Sequence, residues 1–91
     1  MRTLEKNRTM NLSKPHPHKN GSGWYKTGKL FNFSCRIVYD AWSDTYSYII
    51  GKNDCVFNSL WHDQCWETED ECRIACENLC KEKYATQKGV F

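Results

Sequence analysis

Nowhere do the 91 residues contain an apolar run long enough to span a membrane, so no transmembrane segment is expected. Met1–Met10 has no apolar stretch either and does not read as a signal peptide, so a secretory leader is expected to be missing from this chain. Acids are scarce at the front: residues 1–34 hold seven Lys or Arg against one acid, while residues 35–91 hold six against ten. The net charge of +2 hides this division. A Cys-x-x-Cys knuckle is also lacking. Cys65, Cys72, Cys76 and Cys80 with His62 would be enough ligands for zinc, but their spacing puts three of them on one helix, so no metal and no other cofactor is expected. His16 and His18, in a polar arm, make a poor metal site. His62 beside Asp63 is a neighbour pair in sequence rather than a base with its orienter, and no nucleophilic thiol remains if all six cysteines pair, so the chain is not expected to be an enzyme. No nucleic-acid partner is expected.

What the chain does hold is six cysteines with four Trp, five Tyr and four Phe, enough for one small domain that relies on aromatic packing and cross-links. An even cysteine count in so short a chain reads as a disulfide framework made in an oxidising compartment, with fifteen pairings open. At about 3 kcal/mol per bridge, three bridges would rival the whole net stability of such a domain. Four N-glycosylation sequons, at Asn7, Asn11, Asn20 and Asn32, point the same way. The protein is therefore expected to be secreted and extracellular.

Residues 1–23 read as a disordered basic arm bearing potential glycan sites, with Gly21-Ser22-Gly23 as a hinge. That arm could touch an acidic surface. The folded part is expected over 24–84, with a tail at 85–91. Trp24–Phe33, interrupted at Thr27-Gly28, suits an irregular or hairpin entry, Arg36–Trp42 a strand, and Ser43-Asp44 a turn. Tyr46–Ile50 and Cys55–Trp61 read as a hairpin about the Gly51–Asp54 turn. Thr68 and Glu71 form a capping box, and Glu69, Asp70 and Glu71 favour the positive end of a helix over Glu69–Tyr84 whose inward stripe is Cys72, Ala75, Cys76, Leu79 and Cys80. Tyr46, Tyr48, Phe57 and Trp66 are expected in the core. Trp42 and Trp61, next to turns, are the candidate contact anchors. The fold class is small disulfide-rich α+β: a twisted antiparallel hairpin or meander with a C-terminal helix.

Tyr46-x-Tyr48, Cys55 with Phe57 close behind, Cys65, and Trp66-x-Thr68-x-x-Glu71-Cys72-x-x-x-Cys76 resemble the second half of a Kunitz domain of the bovine pancreatic trypsin inhibitor type, over about forty residues. The resemblance implies a small α+β knot in which Cys35 pairs with Cys76 and Cys55 with Cys72. Cys65 and Cys80 remain as the third pair. It also implies a non-catalytic, monomeric secreted protein that binds a serine protease or an ion channel, as divergent members from tick saliva or venoms do. The family's inhibitory loop carries a cysteine followed by the specificity residue, yet no cysteine lies between Cys35 and Cys55. The standard loop is therefore expected to be lost. A rival alignment makes Cys35 the loop cysteine, with Arg36 as the specificity residue of a trypsin-type inhibitor and Ile37 after it. The candidate target-binding residues are thus Arg36, Ile37, Trp42 and Trp61.

Overall fold

The computed structural model describes residues 10–19, 21–52 and 55–87. Five strands follow one another as an antiparallel meander: β1 (His16–Pro17), β2 (Gly23–Leu30), β3 (Phe33–Asp40), β4 (Thr45–Lys52) and β5 (Cys55–Asn58). A 3-10 turn, Ser59–His62, and the helix α1, Glu69–Gln87, follow among the described residues. This is an α+β arrangement of one sheet and one C-terminal helix, with the six cysteine thiols unbonded.

Alternation decides the sheet's two faces. Along β3, Phe33, Cys35 and Ile37 are buried while Ser34 and Arg36 are exposed, so side chains of one parity face α1 and those of the other face away. The register carries that parity sideways: Ile37 lies opposite Tyr48 of β4, and Cys35 opposite Ile50. These residues, with Cys72, Cys76 and Cys80 of α1, form the core. An aromatic ladder extends it, since Trp24 stacks on Tyr39 at 5.5 Å and Tyr48 on Trp66 at 5.2 Å. Trp66 is held there by exchanging two backbone hydrogen bonds with Tyr46 just before the helix begins.

The β2–β3 reversal falls at Phe31-Asn32, both at positive φ (52° and 71°), the signature of a two-residue hairpin turn whose twist matches its strands. The interruption expected at Thr27-Gly28 is absent, and both residues lie inside β2. Gly28 has a different task. A Cβ there would stand 2.7 Å from Met10 Cγ and 3.0 Å from the Asn11 carbonyl oxygen, so the missing side chain is what lets the preceding segment cross β2. The strand expected over Cys55–Trp61 stops at Asn58, whose side chain accepts from the Leu60 N–H and starts the 3-10 turn.

The segment expected to be a disordered arm is docked from Met10 onward. Met10 is buried, and its N–H donates to Glu77 Oε2 at 2.8 Å. Ser13 N–H donates to the Thr27 carbonyl (2.8 Å), and Ser13 Oγ accepts the Thr27 N–H (3.0 Å). β1 then pairs with β2, so Gly21–Gly23 belongs to the reversal between those two strands rather than to a hinge. The physical reason is the open edge of β2, whose peptide groups need partners that a polar, glycine-adjacent segment can supply. Composition alone counts the segment's charges and misses this. Residues 1–9 and 88–91 lie outside the described residues, so most of the expected tail does too.

The helix begins where the capping box placed it. Thr68 Oγ1 accepts the Glu71 N–H at 3.2 Å, and the Thr68 hydroxyl donates to Glu71 Oε1 at 3.1 Å. The Cys72 N–H closes the first turn on the Thr68 carbonyl. Thr68→Ala should cost about 1 kcal/mol in a urea titration, and an unchanged midpoint would mean that the cap contributes nothing.

Candidate functional site

α1 covers one face of the sheet only. On the other face the Arg36 guanidinium lies 4.4 Å from the centre of the Tyr25 ring, and the same ring stacks on His16 at 5.2 Å. Arg36 also lines a depression of ≈ 560 Å³ with Thr27, Lys29, Ile49 and Val56. A second depression, ≈ 390 Å³, is bounded by Val38, Ser47, Leu60 and Trp42. Trp42 is 86 % exposed in the β3–β4 turn, and Trp61 is 65 % exposed in the 3-10 turn that also carries Leu60. Asp40 fixes the first of these turns, since its carboxylate accepts the Trp42 N–H at 2.9 Å.

Three of the four residues expected to meet a target are therefore exposed: Arg36, Trp42 and Trp61. The fourth, Ile37, is 0 % exposed. Its neighbour in sequence faces the other way because strand side chains alternate, so the pair Arg36-Ile37 cannot act together on one surface. Arg36 itself sits in a central strand, with Thr27 of β2 on one side and Ile49 of β4 on the other. Leu60, Val56 and Tyr25 join this surface without having been singled out by sequence. The register between strands brings Val56 and Tyr25 there, and the 3-10 turn brings Leu60.

The cysteines divide into three sets. Cys35 on β3 and Cys76 and Cys80 on α1 form a buried cluster whose three Sγ atoms all lie within 4.8 Å of one another, Cys35 and Cys80 at 3.5 Å. Cys72, one turn earlier on α1, is buried, and Cys65 is exposed. Cys55 is exposed at the start of β5. Cys35 and Cys76 thus share one cluster, but with Cys80 as third member, whereas Cys65, the partner expected for Cys80, lies outside it. Hydrogen bonding with Cys76, and next with Cys80, pulls the Cys35 thiol down in pKa, and hydrogen bonding with Cys35, and next with Cys80, pushes Cys76 up. Burial pushes Cys72 up to about 12.

Of the expected glycan acceptors, Asn11 and Asn32 are exposed, Asn32 at the tip of the β2–β3 turn with Ser34 of its sequon exposed as well. Asn7 and Asn20 lie outside the described residues. His62 stacks on Phe57 at 4.9 Å, a packing position. No helix among the described residues is long and apolar enough to cross a membrane.

Tyr48 supplies a pH test of this packing. Burial pushes its hydroxyl up to about 12. An unfolded tyrosine ionises near pH 10, so the folded state holds this proton more tightly. The resulting stabilisation is complete below about pH 10 and is lost as pH rises toward 12. Tyrosinate absorbance should show a late-titrating component that Tyr48→Phe removes, and an unaltered titration curve would place Tyr48 in solvent.

No family model, no curated protein and no solved structure matches this chain.

Proposed function

We propose that the chain is a secreted, monomeric, non-catalytic binding protein, Kunitz-like in its second half, that modulates a protein target such as a serine protease or an ion channel. The observation that carries this reading is Trp42, 86 % exposed at the rim of a depression on the helix-free face of the sheet. A tryptophan this open on a turn anchored by Asp40 is ready-made contact area with little ordering cost left, and aromatic anchors dominate the energetics of protein interfaces. Leu60, an exposed apolar residue, lines the same depression.

Substrate-like inhibition through Arg36 is the weaker reading. It requires an extended segment whose backbone is free to pair with a protease, and the peptide groups around Arg36 are engaged by β2 and β4. The Kunitz resemblance rests on residues of β4, β5, the Cys65–Thr68 segment and α1, and the proposal takes from it the mode of action, recognition without catalysis. Lys14 and Lys19, docked near β1 rather than free on a long arm, offer a second, electrostatic contact.

The test is a panel of immobilised trypsin, thrombin, factor Xa and tryptase, together with channel currents recorded in its presence. Binding or block should occur with no cleavage after Arg36 over hours. Cleavage there during tight inhibition would support the rival mechanism, and silence across both target classes would contradict the proposal.

A further inference from the structure

We propose that Cys35, Cys76 and Cys80 bind one thiol-seeking closed-shell cation, Cu(I) by preference, which ties strand β3 to helix α1. The site is already assembled. Two ligands stand one helical turn apart on the inward stripe of α1, the third projects from β3 opposite them, and their exposures are 3 %, 0 % and 0 %. With metal–sulfur bonds of about 2.3 Å, three sulfurs around one ion lie about 4 Å apart. The observed 3.5 Å between Cys35 and Cys80, within a cluster no wider than 4.8 Å, needs only side-chain adjustment to match.

Disulfide chemistry fits the cluster less well, because three is the wrong number. Any one bridge leaves a third sulfur buried beside it. A bridge between Cys76 and Cys80 would lie along one regular helix, where the demanding geometry of the bond is strained. One ion uses all three.

The ligand set also selects the ion. Thiolates favour soft cations such as Cu(I) and Zn(II), but zinc sites are almost always four-coordinate. Among the described residues no imidazole or carboxylate joins the three sulfurs. The buried acid whose charge reaches Cys35, Glu77, already receives Met10 N–H and Arg73 at its Oε2. Three soft donors without a fourth suit Cu(I). Binding exchanges thiol protons for the cation and releases them to solvent, and neither sulfur nor metal changes oxidation state. The positive charge of Lys83 acts on Cys80 and offsets part of the negative charge that the thiolates gather.

This inference goes beyond target binding and does not depend on it. It takes the three thiols as reduced, the state in which the structure holds them, and so stands in place of the Cys35–Cys76 and Cys65–Cys80 bridges that the resemblance implies. The full chain, reduced and kept free of oxygen, is titrated with Cu(I) against a chromophoric Cu(I) chelator, and with Zn(II) in parallel. The expected result is one Cu(I) per chain, a near-ultraviolet thiolate-to-copper absorption, and Zn(II) binding at least 100-fold weaker. Alkylation with and without Cu(I), followed by peptide mass mapping, should show labelling of Cys35, Cys76 and Cys80 slowed at least tenfold by Cu(I), with Cys55 and Cys65 labelled at the same rate in both. Cys80→Ser should weaken binding at least 100-fold and Cys55→Ser leave it unchanged. If Cys80→Ser does not fold, the alkylation pattern of the unaltered chain decides. No bound copper, protection at other cysteines, or tighter binding of Zn(II) would overturn the proposal.

Discussion

Ile37→Ala should lower the unfolding free energy by about 4 kcal/mol, toward the upper part of the range for truncating a fully buried aliphatic side chain. Ile37 is 0 % exposed, in the middle of the central strand β3, with Tyr48 beside it on β4 and α1 across the core. Three carbons would be lost from a site walled by a helix and two flanking strands, which cannot collapse into the space without breaking the ladder. In a domain of this size such a loss corresponds to a fall in melting temperature of about 15–30 °C. Thermal unfolding followed by circular dichroism gives the answer. A change within about 0.5 kcal/mol, as expected of an exposed position, would return Ile37 to the surface and restore the Arg36-Ile37 pair as a candidate contact.

Glu77→Ala is expected to cost about 3 kcal/mol, and to do so in a particular place. Its carboxylate is buried, and Oε2 accepts both the Met10 N–H (2.8 Å) and Arg73 Nη1 (2.9 Å). Removing it leaves a buried N–H without an acceptor and a partly buried guanidinium without its closest charge, and each of these costs more than a neutral surface bond would return. Because Met10 is the inner anchor of the segment that crosses β2 at Gly28, the loss should also loosen residues 10–19. Amide exchange at Ser13, whose N–H donates to Thr27, should rise at least tenfold, whereas exchange in β3 should follow global stability only. Glu77→Gln keeps an acceptor oxygen and should lose about half as much. Equal exchange at Ser13 in the variant and the unaltered chain would show that the segment is held without Glu77.

Local signals in the sequence were the ones that translated into structure most directly. The Thr68–Glu71 capping box starts α1, and the Cys72–Cys76–Cys80 stripe faces inward, because both depend on residues within one or two turns of each other. The Ser43-Asp44 turn and the strand through Arg36 were legible for the same reason. Docking of the N-terminal segment was not, since it rests on Met10 meeting Glu77 sixty-seven residues away and on the lack of a Cβ at Gly28. Glu77 itself looks like an ordinary helical surface acid until its partner is in place. The contact surface was half legible: tryptophans beside turns are conspicuous, but alternation in β3 had to be fixed before Arg36 and Ile37 could be assigned to opposite faces. For the cysteines, spacing along the helix shows which thiols share a face, but not that Cys35 arrives between two of them.

The central claim is recognition through the helix-free face rather than through a substrate-like loop, and the most direct measurement is a paired comparison of Trp42→Ala and Arg36→Ala against whichever target in the panel responds. Trp42→Ala should weaken binding about 30-fold, the effect of losing a central aromatic anchor worth about 2 kcal/mol, while both variants keep the unaltered protein's melting temperature. Arg36→Ala should change affinity less than about threefold, since its guanidinium is stacked on Tyr25 and its backbone is held in the sheet. Loss of tight inhibition on Arg36→Ala, with Trp42→Ala binding as well as the unaltered chain, would contradict the account and assign the protein to the substrate-like inhibitors.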